Sequence, residues 1–420
     1  MLGHLHDAGF GFTPEAAEAD VIVVNTCGFI EDAKRESIDA ILEMARAKEE
    51  GRAKKLIVTG CLVQRYSKEL AAEVPEIDVL LGNGAYLEVA KAAQDIRGER
   101  VQVAPPKFIH DATTPRVNTF LPHSAYVKVA EGCDQKCTFC IIPALRGTQR
   151  SRPIADIVRE AEALAERGVV EINLVAQDLT GYGHDLRPKV SLAALLRALG
   201  KVEALSWIRL HYAYPRPFPR ALLAAIAEEP KVVPYIDMPL QHIADPVLKR
   251  MRRGRPRRFI EELLSRIRAA VPGVVLRTSF IVGFPGETER DFAELLDFLR
   301  AAQLDRVGCF AYSPVDGAAA NRLPDPVAEA LAQERLAEFM RVQEAISAEK
   351  LKAKIGRTLE VLVDRVENGQ AVTRSYADAP EIDGVVRFQA RAGTRIGELV
   401  AVRITGADAH DLTGFAPGPL

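Results

Sequence analysis

The sequence predicts an α/β protein in three parts: a small parallel α/β domain, a partial (β/α)6 TIM-like barrel and a closed all-β barrel at the C-terminus. Apolar strands alternate with amphipathic helices through the middle of the chain, which is typical of a parallel sheet covered by helices. A shorter alternation of the same kind precedes them, and short β runs broken by polar turns begin at Gly356. A length of 420 residues is enough for about three domains.

Composition narrows the class of protein. The chain is 48% hydrophobic and 27% charged with a net charge of −2, so contact with nucleic acid would need a local basic patch. Apolar runs such as VIVV are far shorter than a bilayer span of about 20 residues. We therefore expect a cytoplasmic protein that does not enter a membrane, with six cysteines available as metal ligands or redox groups.

Residues 1–104 are expected to form the N-terminal α/β domain. ADVIVVNTC and KKLIVTGC are apolar strands that end at Cys27 and Cys61, with a helical stretch between them and a third strand, EIDVLLGN, after them. Both thiols should leave the same edge of a parallel sheet, where ligands gather; the alternative is two small buried apolar residues. The opening MLGHLHDAGFGF reads like the latter part of a helix, so this domain is expected to lack its first strand.

The central barrel is predicted for residues 123–355, after a Pro-rich linker over residues 105–122. Helical segments alternate with its strands, and a long helix, PVAEALAQERLAEFMRVQEAISAEKLKAKIG, follows them. The active site of such a barrel lies at the C-terminal ends of its strands. The six predicted strands are AYVKVAEG, VVEINLVAQD, LSWIRLHYAYP, VPYIDMPLQH, GVVLRTSFIVGFPGE and DRVGCFAYSP.

The loop after the first barrel strand, EGCDQKCTFC, contains Cys133, Cys137 and Cys140. Three thiolates could hold three irons of a four-iron cluster and leave the fourth iron for a small molecule. A zinc site usually has four protein ligands, and no second C-x-x-C pair follows. The zinc alternative would therefore need a distant histidine such as His184 or His211.

Residues 356–420 are expected to form the C-terminal β-barrel, from the runs RTLEVLVDRV, AVTRSYA, DGVVRFQA and GELVAVRITGA. This segment has seven arginines, no lysines and nine acidic residues. A domain that binds RNA phosphates should be basic, so an acidic one is better suited to a basic protein partner. The one basic run, from Lys249 to Arg258, is either a solvated helix end or a contact to an RNA backbone.

Several motifs together indicate a family. The spacing C-x-x-x-C-x-x-C, with Phe139 before the last cysteine, resembles that of the radical S-adenosylmethionine (SAM) enzymes. With the strand-end cysteines of its N-terminal domain, the chain resembles the radical SAM methylthiotransferase family over nearly its whole length. The C-terminal segment resembles the TRAM domain. RSYADAPEIDGVV, PLQHIADPVLKRMRRG and YSPVDGAAANRLPD resemble the branch of the family that modifies a ribosomal protein.

The resemblance implies two [4Fe-4S] clusters and S-adenosyl-L-methionine as cofactors. Cys133, Cys137 and Cys140 would hold the radical SAM cluster. Cys27 and Cys61 match two of three ligands of an auxiliary cluster, whose first ligand has no counterpart in this chain. No catalytic side chain is expected beyond the clusters. Residues at or near strand ends that would contact SAM, or else make ordinary barrel contacts, are Gln177, Asp178, Gln241, Arg277, Ser279, Gly283 and Gly286.

The activity implied by the resemblance is methylthiolation of the β-carbon of an aspartate in small-subunit ribosomal protein 12. That carbon carries an unactivated C–H bond, which no side-chain base of ordinary pKa deprotonates efficiently. Expected partners are this protein within the ribosomal subunit, ribosomal RNA at the basic run, and an electron donor such as a flavodoxin-type protein. Two alternatives stay open: a tRNA methylthiotransferase acting on a modified adenosine next to the anticodon, and a non-catalytic ribosome-associated zinc protein.

Overall fold

A computed structural model of the chain describes residues 1–94 and 98–417. Residues 418–420 of the expected C-terminal domain and residues 95–97 of the N-terminal one lie outside the described part. The chain divides into two compact units. The first consists of Met1–Val117, Glu131–Gln149 and Ser313–Arg322, and the second of Asn118–Ala130, Arg150–Tyr312 and Leu323–Leu420. Within the described ranges, no helix is both long enough and apolar enough to span a bilayer.

The first unit contains a four-stranded parallel sheet in the order β1-β2-β3-β4. Every residue of β2 is buried because this strand has neighbours on both sides and helices on both faces. The parallel α/β domain is thus confirmed. Its elements are α1 (Leu2–Asp7), β1 (Val21–Thr26), α2 (Glu31–Glu50), β2 (Lys55–Gly60), α3 (Cys61–Glu73), β3 (Val79–Leu81), α4 (Val89–Gln94) and β4 (Val101–Gln102).

The second unit contains a six-stranded parallel sheet, in the order β12-β11-β10-β9-β8-β5, which confirms the partial barrel. The strands and helices alternate as predicted, and one helix that the periodicity did not indicate, α9, ends at the first two residues of the basic run. The elements from this point are β5 (Ser124–Lys128), β6 (Ala130–Glu131), α5 (Ile142–Arg146), β7 (Arg150–Ser151), α6 (Ile154–Ala165), β8 (Glu171–Val175), α7 (Leu192–Leu199), β9 (Trp207–Leu210), α8 (Arg220–Glu228), β10 (Val232–Asp237), α9 (Asp245–Arg250), α10 (Arg257–Ala270), β11 (Val275–Val282), α11 (Glu289–Ala302), β12 (Arg306–Ala311) and α12 (Glu329–Lys352).

The two faces of this sheet differ in chemistry. Alternate residues such as Ile172, Leu174 and Ile208 point toward the helices and join one large apolar core. The residues between them form the inner face of the barrel, and many are polar and buried, including Glu171, Asn173, Arg209 and Asp237. The barrel interior is therefore a polar layer rather than a second apolar core.

The C-terminal segment forms a closed five-stranded barrel in the order β13-β14-β15-β17-β16, which confirms the predicted all-β barrel. It belongs to the same compact unit as the six-stranded sheet. The sequence pattern did not indicate β17, which is four residues long. The strands are β13 (Thr358–Glu367), β14 (Gln370–Ser375), β15 (Val386–Gln389), β16 (Leu399–Ala407) and β17 (Leu412–Phe415). Single 3-10 turns occur at Ala16–Glu18, Tyr86–Glu88, Leu179–Gly181 and Ala319–Arg322.

A buried ion network joins the two barrels of the second unit. Both Arg209 and Arg374 donate to Glu171, with N–O distances of 3.1 Å and 2.7 Å. Arg374 also donates to Asp364 at 2.6 Å, and the His123 imidazole lies 2.9 Å from the same carboxylate. Buried charges are tolerated when each one is paired and hydrogen-bonded, as here. The network ties the first strands of the parallel sheet to the C-terminal barrel.

Candidate cluster sites and barrel interior

Cys27 and Cys61 leave the same edge of the N-terminal sheet. Strands β1 and β2 are parallel and in register as far as Thr26 and Gly60, and each cysteine is the next residue. Neighbouring strands lie about 4.8 Å apart, so the two residues leave the sheet at adjacent positions. Cys27 is exposed and Cys61 half-buried. Their position agrees with the expected edge, while their role as cluster ligands stays a prediction.

The Cys61 sulfur is surrounded by donors. The Arg146 guanidinium donates to Sγ at 3.4 Å, and the Asn83 amide donates to it at 3.5 Å. Arg146 lies at the end of α5, just after the cysteine loop, and also faces Glu131 at 3.6 Å. A cation and an amide so placed stabilise negative charge on sulfur. No local sequence pattern indicates either contact, because each joins residues far apart in the chain.

The loop cysteines have the backbone environment of iron–sulfur ligands. The Gln135 amide donates to Cys133 Sγ and the Ile142 amide donates to Cys140 Sγ, each at 3.4 Å. Hydrogen bonds of this kind to thiolate sulfur tune iron–sulfur clusters, so the residues present fit such a group. Within the described residues, no three or more His, Cys, Asp or Glu side chains form a site for a single metal ion. Thiolates that bind separate irons of a cluster do not need to meet at one point.

An apolar cluster in the first unit joins the end of the cysteine loop to Cys61. Ile141 and Leu145 from the cysteine loop pack with Val315 and Ala318 of the Ser313–Arg322 segment. Phe29, Ile30 and Cys61 pack against the same cluster from the N-terminal domain. The Ser313–Arg322 segment is held to that domain through Asp316, which accepts a hydrogen bond from the Tyr66 hydroxyl at 2.5 Å. Residues of the cysteine loop and Cys61 therefore meet in one apolar cluster.

Gly283 and Gly286 lie in the turn after β11, and the backbone there needs glycine. Both have left-handed φ angles, +72° and +79°. A Cβ on Gly283 would stand 2.4 Å from the Ala332 Cβ of α12, and one on Gly286 would overlap the Arg250 guanidinium. The Gly283 amide donates to both carboxylate oxygens of Glu287 at 3.1 Å. Structural need thus explains the glycine pair, and its contact with SAM stays a prediction.

Two other expected SAM contacts have protein partners. Asp178 is buried, accepts hydrogen bonds from Thr180 Oγ1 at 2.7 Å and from the Gly181 amide at 3.0 Å, and pairs with Arg216. Arg277 pairs with Asp237 at 2.9 Å and with Asp383 at 3.5 Å. Both groups are held in place by these partners. A contact of either with the cofactor stays a prediction.

The other polar candidates lie on neighbouring strands. Gln241 has a left-handed φ of 76° and bridges to β11, since its amide donates to the Ser279 carbonyl at 2.9 Å. Ser279 is on the inner face of β11. Gln177 is the second residue after β8. The structure thus gathers these residues near the C-terminal half of the parallel sheet, as the sequence led us to expect, and their ligand contacts stay predictions.

The basic run uses much of its charge internally. Arg250 donates to the Gly286 carbonyl, and Arg253 donates to the Pro239 carbonyl and stacks over the Tyr214 ring. Arg257 and Arg258 pair with glutamates on α10, Glu261 and Glu262, at 2.7 Å and 2.8 Å. The exposed cations of the run are Lys249, Arg252, Arg255 and Arg258. Contact with ribosomal RNA stays a prediction.

Sequence reasoning missed the polar layer inside the barrel. The Asn173 amide donates to Ser124 Oγ at 3.1 Å, and the His211 imidazole lies 3.3 Å from the Asn173 carbonyl oxygen. The other imidazole nitrogen of His211 is 3.9 Å from Asp237. Burial opposes ionisation of Asp237, but His211 and Arg277 together lower the pKa of that carboxyl. The signal was present in the sequence, as a polar residue inside each apolar strand: EINLV, WIRL, VVPYID and VLRTSFIV.

Three family models match the chain. The Radical SAM superfamily model matches residues 127–299, and the TRAM domain model matches residues 355–416. Residues 1–82 match the model described as Uncharacterized protein family UPF0004. The central match contains the cysteine loop and the first strands of the parallel sheet.

Curated relatives match over nearly the whole chain. A protein of Anaeromyxobacter sp. (strain Fw109-5), named ribosomal protein uS12 methylthiotransferase RimO, is 53% identical over 99% of this chain and 88% of its own length. Proteins with the same name from Myxococcus xanthus and Geobacter sulfurreducens are 49% and 44% identical. These two matches cover 98% and 99% of this chain, and 87% and 94% of the relatives.

Solved structures with a similar fold are radical SAM enzymes. The methyltransferase TsrM from Kitasatospora setae, with cobalamin and a [4Fe-4S] cluster bound, has a TM-score of 0.51 and 15% identity over 87% of this chain and 71% of its own. Its structure with tryptophan and a SAM analogue has a TM-score of 0.53, also at 15% identity, over 90% of this chain and 71% of its own. At this identity the likeness concerns the fold.

Proposed function

We propose the function from one premise: this chain belongs to the ribosomal protein uS12 methylthiotransferase family of radical SAM enzymes. The activity that follows is transfer of a methylthio group to uS12, at the β-carbon of an aspartate. The protein substrate is inferred from the name of the relatives. A radical is needed because no ordinary side-chain base removes a proton from the aspartate β-carbon efficiently.

The observation that carries this proposal is the position of Cys61 beside the cysteine loop. Arg146, which ends the short helix of that loop, donates to the Cys61 sulfur at 3.4 Å, and the two elements share an apolar cluster. A single radical site would need no second cysteine there. Transfer of sulfur in addition to a methyl group needs a second sulfur-binding site close to the first, and the position of Cys61 supports this proposal.

Cys133, Cys137 and Cys140 are the residues that would hold the radical SAM cluster, and Cys27 and Cys61 would contribute to the auxiliary one. When bound, a [4Fe-4S] cluster with SAM supplies the one-electron chemistry that breaks an unactivated C–H bond. The amides of Gln135 and Ile142 support the charge of the loop thiolates. Arg146 and Asn83 do the same for Cys61, and the apolar side chains packed against Cys61 cover part of it from solvent.

The proposed partners follow from the same activity. The enzyme acts on uS12 in the cytoplasm, either on the isolated protein or within the ribosomal subunit. Lys249, Arg252 and Arg255 are the exposed cations that would touch ribosomal RNA in the second case. An electron donor such as a flavodoxin-type protein would reduce the cluster.

A tRNA methylthiotransferase is the second candidate, because the TRAM domain model that matches residues 355–416 suggests RNA binding. The charge of that domain argues against this candidate, since acidic residues outnumber arginines there. Nucleoside analysis of tRNA after incubation with the enzyme tests it. A methylthiolated adenosine in the tRNA, with uS12 unchanged, would favour this candidate.

The direct test uses anaerobically reconstituted enzyme with SAM, a reductant and purified uS12. Mass spectrometry of the uS12 peptides should find a methylthio group on one aspartate. The variant Cys133→Ala should leave uS12 unmodified. Zinc without iron in anaerobically purified protein would instead support the third alternative, a structural zinc protein.

A further inference from the structure

One turn of the C-terminal barrel lies against the inner face of the parallel sheet. This turn, residues 379–383, follows β14 and precedes β15. The Tyr235 hydroxyl donates to the Asp383 carboxylate at 2.7 Å, and the Tyr126 hydroxyl donates to the Pro380 carbonyl at 3.5 Å. Arg277 faces Asp383 at 3.5 Å. The three partners come from β10, β5 and β11, so the turn is anchored to three strands of the sheet.

The turn is rigid and its anchor is buried. The Asp383 carboxylate accepts the Ala379 amide at 2.9 Å, and the Asp383 amide donates back to the Ala379 carbonyl at 3.3 Å. Ala379 is completely buried. Such a turn holds the side chains at its tip in fixed positions, because the backbone on both sides of the tip is tied down.

Glu381, at the tip of the turn, has a strained backbone. Its φ is +61°, in the left-handed region that is sterically unfavourable for a non-glycine residue. Glycine would fit this position without that cost. Strain of this kind persists where the surroundings enforce it, and it is concentrated at functional sites. The strained backbone therefore indicates a function for the Glu381 side chain.

The tip is exposed although its anchor is buried. Glu381 is exposed, and Ile382 has 47% of its surface open to solvent. Tyr212, which follows β9 closely, is also strained at a φ of 60° and is 49% exposed. The pKa of the Tyr126 phenol is raised to about 12, mainly by burial and further by the negative charges of Glu171 and Glu381. Glu381 thus lies near the inner face of the barrel and remains accessible there.

We propose that Glu381, supplied by the C-terminal barrel, is a substrate-binding residue inside the radical SAM barrel and binds a lysine or arginine of the substrate protein. The inference rests on the proposed function for the identity of that protein. A carboxylate next to the exposed side chain of Ile382 matches a side chain with an apolar stem and a cationic head. Ribosomal proteins that contact RNA carry such side chains, because phosphate binding uses lysine and arginine.

Binding of purified uS12 to the full chain tests this proposal without depending on the clusters. Glu381→Gln should weaken the affinity about tenfold, and Glu381→Lys more, because a charge-assisted hydrogen bond is lost and then replaced by repulsion. Glu360→Gln is the matched control, since Glu360 is an exposed acid on β13 of the same domain. Unchanged affinity in both Glu381 variants would overturn the proposal.

A third variant separates binding from stability. Glu381→Gly should raise the melting temperature, because glycine relieves the left-handed backbone, and should still weaken uS12 binding. If Glu381 had only a structural role, its replacement would not raise the melting temperature and weaken uS12 binding at the same time. A lower melting temperature together with unchanged affinity would contradict the proposal.

Charge exchange identifies the partner side chain. Lysines and arginines near the modified aspartate of uS12 are replaced one at a time by glutamate, and one of these should restore binding to Glu381→Lys. If wild-type enzyme binds uS12 through Glu381 but leaves it unmodified, the proposed function fails and this inference stands. If wild-type enzyme modifies uS12 and the Glu381 variants do so equally well, the proposed function stands and the inference about Glu381 fails. Absence of binding by the wild type would overturn both.

Discussion

At the scale of the residue, Glu171 best shows how the barrel tolerates buried charge. Its carboxylate is completely buried between Arg209 and Arg374. Burial would raise the pKa of this carboxyl, but Arg374 and Arg209 lower it from 4.5 to about 2. The lowered pKa means that the ionised form stabilises the fold. This contribution is complete above about pH 4.5 and is lost as the pH falls toward 2.

Glu171→Gln should lower the free energy of unfolding by about 3–5 kcal/mol at neutral pH, because it leaves two buried arginines without their anion. The variant should also lose part of the pH dependence between pH 4.5 and 2. Chemical denaturation of both proteins at several pH values measures both effects. If the free energy of unfolding depended on pH equally in wild type and variant, Glu171 would not be the source of this pH dependence.

Cysteine substitutions test the metal ligands one residue at a time. Cys133→Ala should lose the iron and sulfide of one cluster, because three thiolates are needed to hold it. Cys309→Ala is the matched control: Cys309 is buried in the core on β12, and burial raises the pKa of its thiol. Iron analysis after anaerobic reconstitution should find normal iron in the control. Equal iron in both variants would remove Cys133 from the ligand set.

Sequence reasoning at this scale found the cysteines but not their surroundings. Cys133, Cys137 and Cys140 lie within eight residues, so their spacing is visible in the sequence. The contacts of Cys61 with Arg146 and Asn83 bring together residues 85 and 22 positions apart. No local pattern encodes such contacts, since they depend on how separate elements pack.

At the scale of the element, the turn after β11 links the sheet to α12. Gly283→Ala should destabilise the protein by about 2–4 kcal/mol, from a strained φ and from a clash with Ala332. The double variant Gly283→Ala with Ala332→Gly should be less destabilised than the sum of the single changes, because the clash is removed. Thermal or urea unfolding of the three variants measures this. Strict additivity would mean that Gly283 and Ala332 do not interact.

Element prediction succeeded where periodicity extends over a long segment. The six barrel strands and the helix α12 were all indicated by apolar spacing. The strands β4 and β17 were missed because two and four residues are too few to show an alternation. The helix α9 was missed because its six residues contain a proline and two cations.

At the scale of the whole molecule, the radical SAM barrel depends on the C-terminal barrel. Trp207, Val233 and Tyr235 of the parallel sheet pack with Leu362 and Ala379 of the C-terminal barrel in one apolar cluster. The ion network around Glu171 crosses the same boundary. The change of strand pattern at Gly356 predicted a separate C-terminal domain. In the structure, the C-terminal barrel and the parallel sheet belong to one compact unit.

A chain that ends at residue 355 should therefore lose stability, because Glu171 would lose Arg374, Arg209 would lose the Tyr376 carbonyl, and the apolar cluster would be exposed. The truncated protein should melt at a lower temperature or aggregate. In the intact chain, calorimetry should show the two barrels unfolding together. A truncated barrel as stable as the intact one would contradict this dependence.

The central claim is that this chain methylthiolates uS12. The most direct test is to express the chain in a bacterial strain that lacks its own uS12 methylthiotransferase, and to analyse uS12 and tRNA from the same cells by mass spectrometry. We predict a methylthio group on one aspartate of uS12 and no change in the tRNA. Unmodified uS12 together with newly methylthiolated tRNA would contradict the account.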